Sequence, residues 1–270
     1  MWKFNKPKPA GDLIIRLGIP ILMYHRVGPL DGSPMDRYTV SPSRFEAQMK
    51  YIATSEWNVI PLDALFDKSI LKSAGKSVIV TFDDGYASNM HYAWPVLEKY
   101  QMPSTNYIVT EDLGETISWD GVLMPGYPVL TESDLRSANS SLMTFQSHTN
   151  SHPLLSELST DEIERELLES KQKIESLTGM AVNSFAYPFG AWNKVVKHAV
   201  HKAGYKAACS CQQGLNRNGT DPLLLRRVEI LDSDTNYRLH IKLVTGLNFS
   251  GVGSTLMSRV QRVFSRLARD

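Results

Sequence analysis

The chain is poor in the features that would announce several large classes of protein. It has two cysteines in 270 residues, Cys209 and Cys211. That is too few for a disulfide framework, and the pair is too close in sequence for an easy mutual bridge. The C-S-C spacing predicts both on one face of a strand, as a core pair. No charge of one sign dominates: 29 Lys plus Arg stand against 28 Asp plus Glu, which excludes the basic surplus of a nucleic-acid binder. No apolar run reaches the ~18 residues of a membrane-spanning helix. The stretch from Leu13 to Tyr24 carries Arg16 and lacks a small-residue cleavage site, so it does not read as a signal peptide, and the expected location is the cytoplasm. Internal repeats and low-complexity segments are absent too.

What is present alternates. Ile21–Tyr24, Val78–Phe82, Asn106–Val109, Leu142–Gln146, Ser184–Tyr187, the segment to Cys209 and Leu224–Ile230 read as strands. Between them lie helical patterns. Ser41-Pro42 opens one, with Phe45, Met49 and Ile52 as its stripe. Another follows Gly85 and is interrupted near Pro95. Thr131–Asp134 and Ser159–Glu162 are capping boxes, the second leading into Ile163, Leu167, Ile174 and Leu177 before Gly179. A further helix runs through Val195 and Ala199. Strands separated by helices imply a parallel sheet, and this many units predict an α/β fold closing as a distorted (β/α)7-type barrel in a single domain over residues 1–250, its core at about 20–232.

The polar outliers follow the strands. Val78–Gly85 reads V-I-V-T-F-D-D-G, a buried strand that stops at two adjacent carboxylates. Charge is costly to bury, so Asp83 and Asp84 belong at a cleft, and a cation is the simplest way to keep both ionised. His148 and His152 come at i and i+4 after the next-but-one strand, which is ligand spacing for a borderline metal. One carboxylate and two imidazoles make a site with coordination positions left for water and substrate. His25 and Phe189-Gly190 also sit directly after strands, the face where β/α barrels assemble chemistry.

T-F-D-D-G at 81–85, S-H-T-N-S-H at 147–152 and F-A-Y-P-F-G at 185–190 together resemble the three motifs of the polysaccharide deacetylases with a NodB-type domain. The resemblance covers about residues 20–232. It implies a metal-dependent hydrolase that removes N-acetyl groups from amino sugars, with Asp83 as general base and Asp84, His148 and His152 as metal ligands. It implies the Phe189 N–H as an oxyanion donor, and zinc as the default ion, with cobalt, nickel, iron or manganese fitting the same donors. Where that family's third motif has a base-tethering arginine, this chain has Ala186, and Arg226 or Arg227 are the candidates to replace it. The usual C-terminal histidine is missing as well. Met23-Tyr24-His25-Arg26-Val27 is similar to the permuted poly-glucosamine deacetylases, which take their general acid from an N-terminal strand, so His25 is the expected acid. Tyr187 and Trp119 are the candidate substrate-binding wall. A small-molecule amidase or deformylase of the same fold, and an inactive glycan-binding domain, are the competing functions. Residues 251–270 carry Leu256, Val260, Val263 and Leu267 on one helical face and four arginines elsewhere, a basic amphipathic helix able to contact an anionic membrane from its inner face.

Overall fold

A computed structural model describes residues 18–66, 76–117, 127–137 and 142–248. The expected Trp119 wall and the amphipathic helix over 251–270 lie outside the described residues. In chain order the elements are β1 (Ile21–Tyr24), β2 (Arg26–Val27), β3 (Thr39–Val40), α1 (Pro42–Ala53), β4 (Trp57–Val59), β5 (Lys76–Phe82), α2 (Ser88–Tyr92) and α3 (Trp94–Lys99). They continue as β6 (Ser104–Ile108), α4 (Glu132–Ser137), β7 (Met143–Ser147), α5 (Thr160–Thr178), β8 (Ser184–Ala186), α6 (Lys194–Lys202), β9 (Ala207–Cys209), β10 (Val228–Glu229) and α7 (Asn236–Thr245).

The main sheet runs β10-β1-β5-β6-β7-β8-β9, with β4 beside the foot of β5. All of its named pairs are parallel, so the helices must lie outside it. Seven strands in one curled path make the distorted (β/α) barrel. The seam between β9 and β10 is bridged by the chain itself. Leu225 pairs with Cys209, and three residues further on the same segment becomes β10 and pairs with β1.

Period-2 alternation sorts the strand residues. Ile21, Ile79, Tyr107, Ala186, Cys209 and Leu225 share one cluster inside the sheet. Their neighbours Leu22, Val78, Val80 and Phe82 face outward, against Phe45, Met49 and Ile52 of α1 and Leu239 and Leu243 of α7. Burying each such side chain contributes about 1.5–3 kcal/mol. On the other flank Ile163, Leu167, Ile174 and Leu177 of α5 pack against Phe145 and Phe185.

Several boundaries differ from expectation for identifiable reasons. The last strand is only Val228–Glu229, because Pro222–Leu224 forms a 3-10 turn. Helix α7 extends the fold past residue 232. Ser41 precedes α1 but does not cap it; its hydroxyl and amide donate to Asp232 Oδ1 at 2.5 and 2.9 Å, tying α1 to the far end of the chain. Ser159 and Glu162 do form both bonds of their capping box, and Gly179 ends α5 in the left-handed region. The two cysteines are not a core pair, since β9 ends at Cys209. Cys209 is buried and Cys211 lies beyond the strand on the cavity wall.

A buried carboxylate and imidazole cluster at the barrel mouth

Ile79 and Thr81 of β5 point inward, so Asp83, two residues on, continues onto the same face. Its amide donates to the Tyr24 carbonyl at 3.0 Å, which carries the ladder one step past the strand. Asp84 then turns into the left-handed region (φ 72), followed by Gly85 (φ 76). A positive φ is uncommon for a residue with a Cβ. Here it swings the second carboxylate sideways from the first, and the two aspartates serve different partners.

Asp83 meets Arg227. The guanidinium Nη1 donates to Asp83 Oδ1 at 2.6 Å, and both side chains are almost fully enclosed, 0% and 3% exposed. Arg227 Nε donates to the Ser210 carbonyl at 3.1 Å, and its guanidinium carbon lies 5.7 Å from the centre of the Tyr107 ring. The arginine reaches this position from the seam: the segment that bridges β9 and β10 delivers it inward beside β5. Arg226, the other candidate, is exposed and donates to the Gln213 carbonyl instead. Burial works to raise the Asp83 carboxyl, but the Arg227 charge and then His148 outweigh it and hold the group below the usual carboxylate range.

Asp84 meets the two histidines. Its Oδ1 is 3.4 Å from His148 Nε2 and 3.8 Å from His152 Nε2. One donor atom from each of the three residues lies within 4.8 Å of the others, and all three residues are buried. The imidazoles stand 4.8 Å apart with their planes at 69°. They do not sit on a helix face, as i, i+4 spacing suggests. The segment is a loop with Thr149 and His152 at φ 70 and 57, and it is the loop's turns that make the rings converge.

His148 Nδ1 lies 2.8 Å from the Ala186 carbonyl. A carbonyl only accepts, so Nδ1 carries the proton and Nε2 faces Asp84. Burial disfavours the His148 imidazolium, yet the Asp84 hydrogen bond and the two aspartate charges outweigh it and raise its pKa. His152 goes the other way: burial, then His148, depress it to about 3. Burial also opposes the Asp84 carboxylate, but the His148 hydrogen bond and the surrounding imidazoles draw it well below its ordinary value. An anionic oxygen and two imidazole nitrogens converging in a buried pocket are a donor set that fits a divalent transition ion.

These groups open onto a cavity of about 470 Å³. His25 lines it half-buried, its ring 5.3 Å from Tyr38, its carbonyl accepting from Asn89 Nδ2 at 2.7 Å. Phe189 lines it with φ 58 and its ring 4.7 Å from His152. Gly190 follows at φ 66, where a Cβ would lie 2.6 Å from the Cys211 amide nitrogen. Tyr187 forms part of the wall, but its hydroxyl donates to the Leu223 carbonyl at 3.0 Å and is committed to the fold. Glu229, Tyr38 and Cys211 also reach the cavity, and the sequence reading missed all three. For Glu229 a signal existed, because it lies two residues beyond Arg227 and alternation places both on one face.

Comparison with known proteins gives a consistent result. The family model for polysaccharide deacetylase matches residues 71–208. The poly-beta-1,6-N-acetyl-D-glucosamine N-deacetylase of Staphylococcus aureus is 27% identical over 222 residues, 78% of this chain and 73% of that protein. A polysaccharide deacetylase from Bacillus cereus superposes with a TM-score of 0.72 at 27% identity, covering 84% of this chain and 69% of that one. A Streptococcus pyogenes deacetylase solved with acetate has a TM-score of 0.73 and covers 84% of this chain and 98% of its own, and at 24% identity the likeness is one of fold.

Proposed function

This chain belongs to the polysaccharide deacetylase family, and from that premise we propose that it is a metal-dependent hydrolase removing N-acetyl groups from amino sugars in a β-linked glucosamine polysaccharide. The observation that carries the metal dependence is the convergence of Asp84, His148 and His152 beside an aspartate with its own, separate counter-ion. The polymer is suggested by the Staphylococcus aureus relative, whose name states that substrate. An inactive glycan-binding domain has no physical need for two buried carboxylates kept ionised by different partners.

Asp84, His148 and His152 would hold the ion. When bound, a divalent ion supplies Lewis-acid polarisation of the acetamide carbonyl and eases deprotonation of water. Asp83 takes the proton from the attacking water, and Arg227 keeps it ionised and oriented for that task. As the carbonyl carbon becomes tetrahedral, the Phe189 N–H donates to the developing oxyanion, a type of contact worth about 3 kcal/mol. His25, across the same cavity, gives its proton to the nitrogen as the C–N bond breaks. The products are acetate and a free amine on the sugar. The ring of Tyr38 beside His25 and that of Phe189 beside His152 border the space a sugar would fill.

The experiment is metal analysis of the purified protein coupled to acetate release from β-linked N-acetylglucosamine oligomers and from small N-acetyl sugars. Chelation should abolish release and one divalent ion should restore it, while Asp83→Asn should bind the ion and release no acetate. Release that survives exhaustive chelation would overturn the metal dependence. Release from small sugars alone would overturn the polymer.

A further inference from the structure

We propose that Glu166 of α5 is a positioning residue that sets metal affinity by holding the loop between the two histidines. The inference rests on the metal-site reading above and concerns what shapes that site. The loop 148–152 belongs to neither a helix nor a strand, and two of its residues, Thr149 and His152, occupy the left-handed region. A segment in that conformation keeps its shape only when its surroundings over-determine it.

Glu166 supplies most of that constraint. Its Oε2 accepts from two consecutive backbone amides, Asn150 at 2.8 Å and Ser151 at 2.9 Å. Its Oε1 accepts from the Ser151 hydroxyl at 2.7 Å. One carboxylate thus grips the midpoint of the loop, with a histidine on either side. The remaining ties reinforce the same point. The Asn150 side-chain oxygen accepts from the Thr110 hydroxyl at 2.8 Å, and its carbonyl accepts from the Glu111 amide at 2.8 Å. The His152 amide donates to Thr149 Oγ1 at 2.9 Å.

The helix that carries Glu166 is a firm base. It spans 19 residues, opens on a complete capping box and packs Ile163 and Leu167 into the core. One turn after Glu166, Ser170 Oγ lies 2.9 Å from Ser147 Oγ, at the residue preceding His148. The same helix face therefore registers the start of the motif and its middle. Glu166 is half-buried, so without it water can reach the two amides and the fold can persist. What is lost is the fixed direction of His148 and His152 toward one point. Removing groups that orient metal ligands typically costs about 10–100-fold in affinity.

The test is competition for Zn2+ against a chromophoric chelator, with thermal unfolding of the metal-free proteins alongside. Glu166→Ala should weaken Zn2+ binding by about 10–100-fold. Glu166→Gln, whose amide oxygen can still accept from both backbone amides, should fall between it and wild type. Glu169→Ala, exposed on the same helix, should bind as wild type. Affinity within twofold of wild type in Glu166→Ala would overturn the proposal. If Glu166→Ala does not fold, Glu166→Gln decides: wild-type affinity combined with a lower metal-free melting temperature makes Glu166 a strut only. A wild-type protein that takes up no stoichiometric Zn2+ would fail the metal reading itself, and this proposal with it.

Discussion

Arg227→Met removes the counter-ion of Asp83 while keeping most of the side-chain volume. Both partners are nearly inaccessible and their atoms are 2.6 Å apart. Two unit charges at about 4 Å in an effective dielectric of about 20 attract by about 4 kcal/mol, and stripping one partner from a buried pair typically costs about 3–5 kcal/mol. The pH dependence separates this effect from lost packing. In the wild type Arg227 holds the Asp83 pKa below its ordinary value against the opposing effect of burial. A depressed folded-state pKa contributes stability that is present above the unfolded value, about 3.9, and is lost as pH falls through the folded one. Without Arg227, burial is opposed only by the weaker pull of the neighbouring imidazoles, His148 first, and it lifts the carboxyl above the unfolded value. The sign then reverses, and the variant loses stability as pH rises through the shifted pKa. Urea unfolding of chelator-treated protein, followed by tryptophan fluorescence, should show a deficit of about 3–5 kcal/mol at pH 7 that shrinks toward pH 4. The acid limb of kcat/KM should move up by about 1–3 pH units, and Arg227→Lys should show a smaller shift. A deficit that is the same at pH 4 and pH 7 would refute the argument, because only the ionised Asp83 needs a counter-ion.

Two further substitutions probe the backbone of the site. Gly190→Ala places a Cβ at φ 66 and 2.6 Å from the Cys211 amide nitrogen. The left-handed conformation alone costs about 1–2 kcal/mol, so thermal unfolding should show at least that loss, and adding Cys211→Ala should not restore it, because the Cys211 Cβ at 2.5 Å and amide nitrogen at 2.6 Å both remain in alanine. Asn89 donates to the His25 carbonyl and accepts from the Val27 amide, each at 2.7 Å. Asn89→Ala strands those groups at about 1–3 kcal/mol each. If His25 is the acid, kcat should fall more than KM changes, and the alkaline limb of the pH profile should shift; an unmoved limb would make Asn89 a purely structural clamp.

Local chemistry made much of this protein readable in one dimension. The β-branched run ending in Asp83-Asp84-Gly85, the paired histidines and the Ser159–Glu162 cap each declare themselves through burial cost, donor type or hydrogen-bonding geometry between near neighbours. Strand and helix alternation likewise implied a parallel sheet without any knowledge of contacts. Three matters needed the fold. Arg227 rather than Arg226 reaches Asp83, because the seam segment between β9 and β10 turns the one inward and leaves the other in solvent. Cys211 leaves the core because its strand ends two residues earlier. The histidines converge through a loop with two left-handed residues, pinned by a helix that begins eight residues later in the chain. Residue identity sets which groups can ionise, donate or ligate, and that information is local. Which of them face one another depends on strand ends, seams and loop turns, which are settled only when distant segments pack.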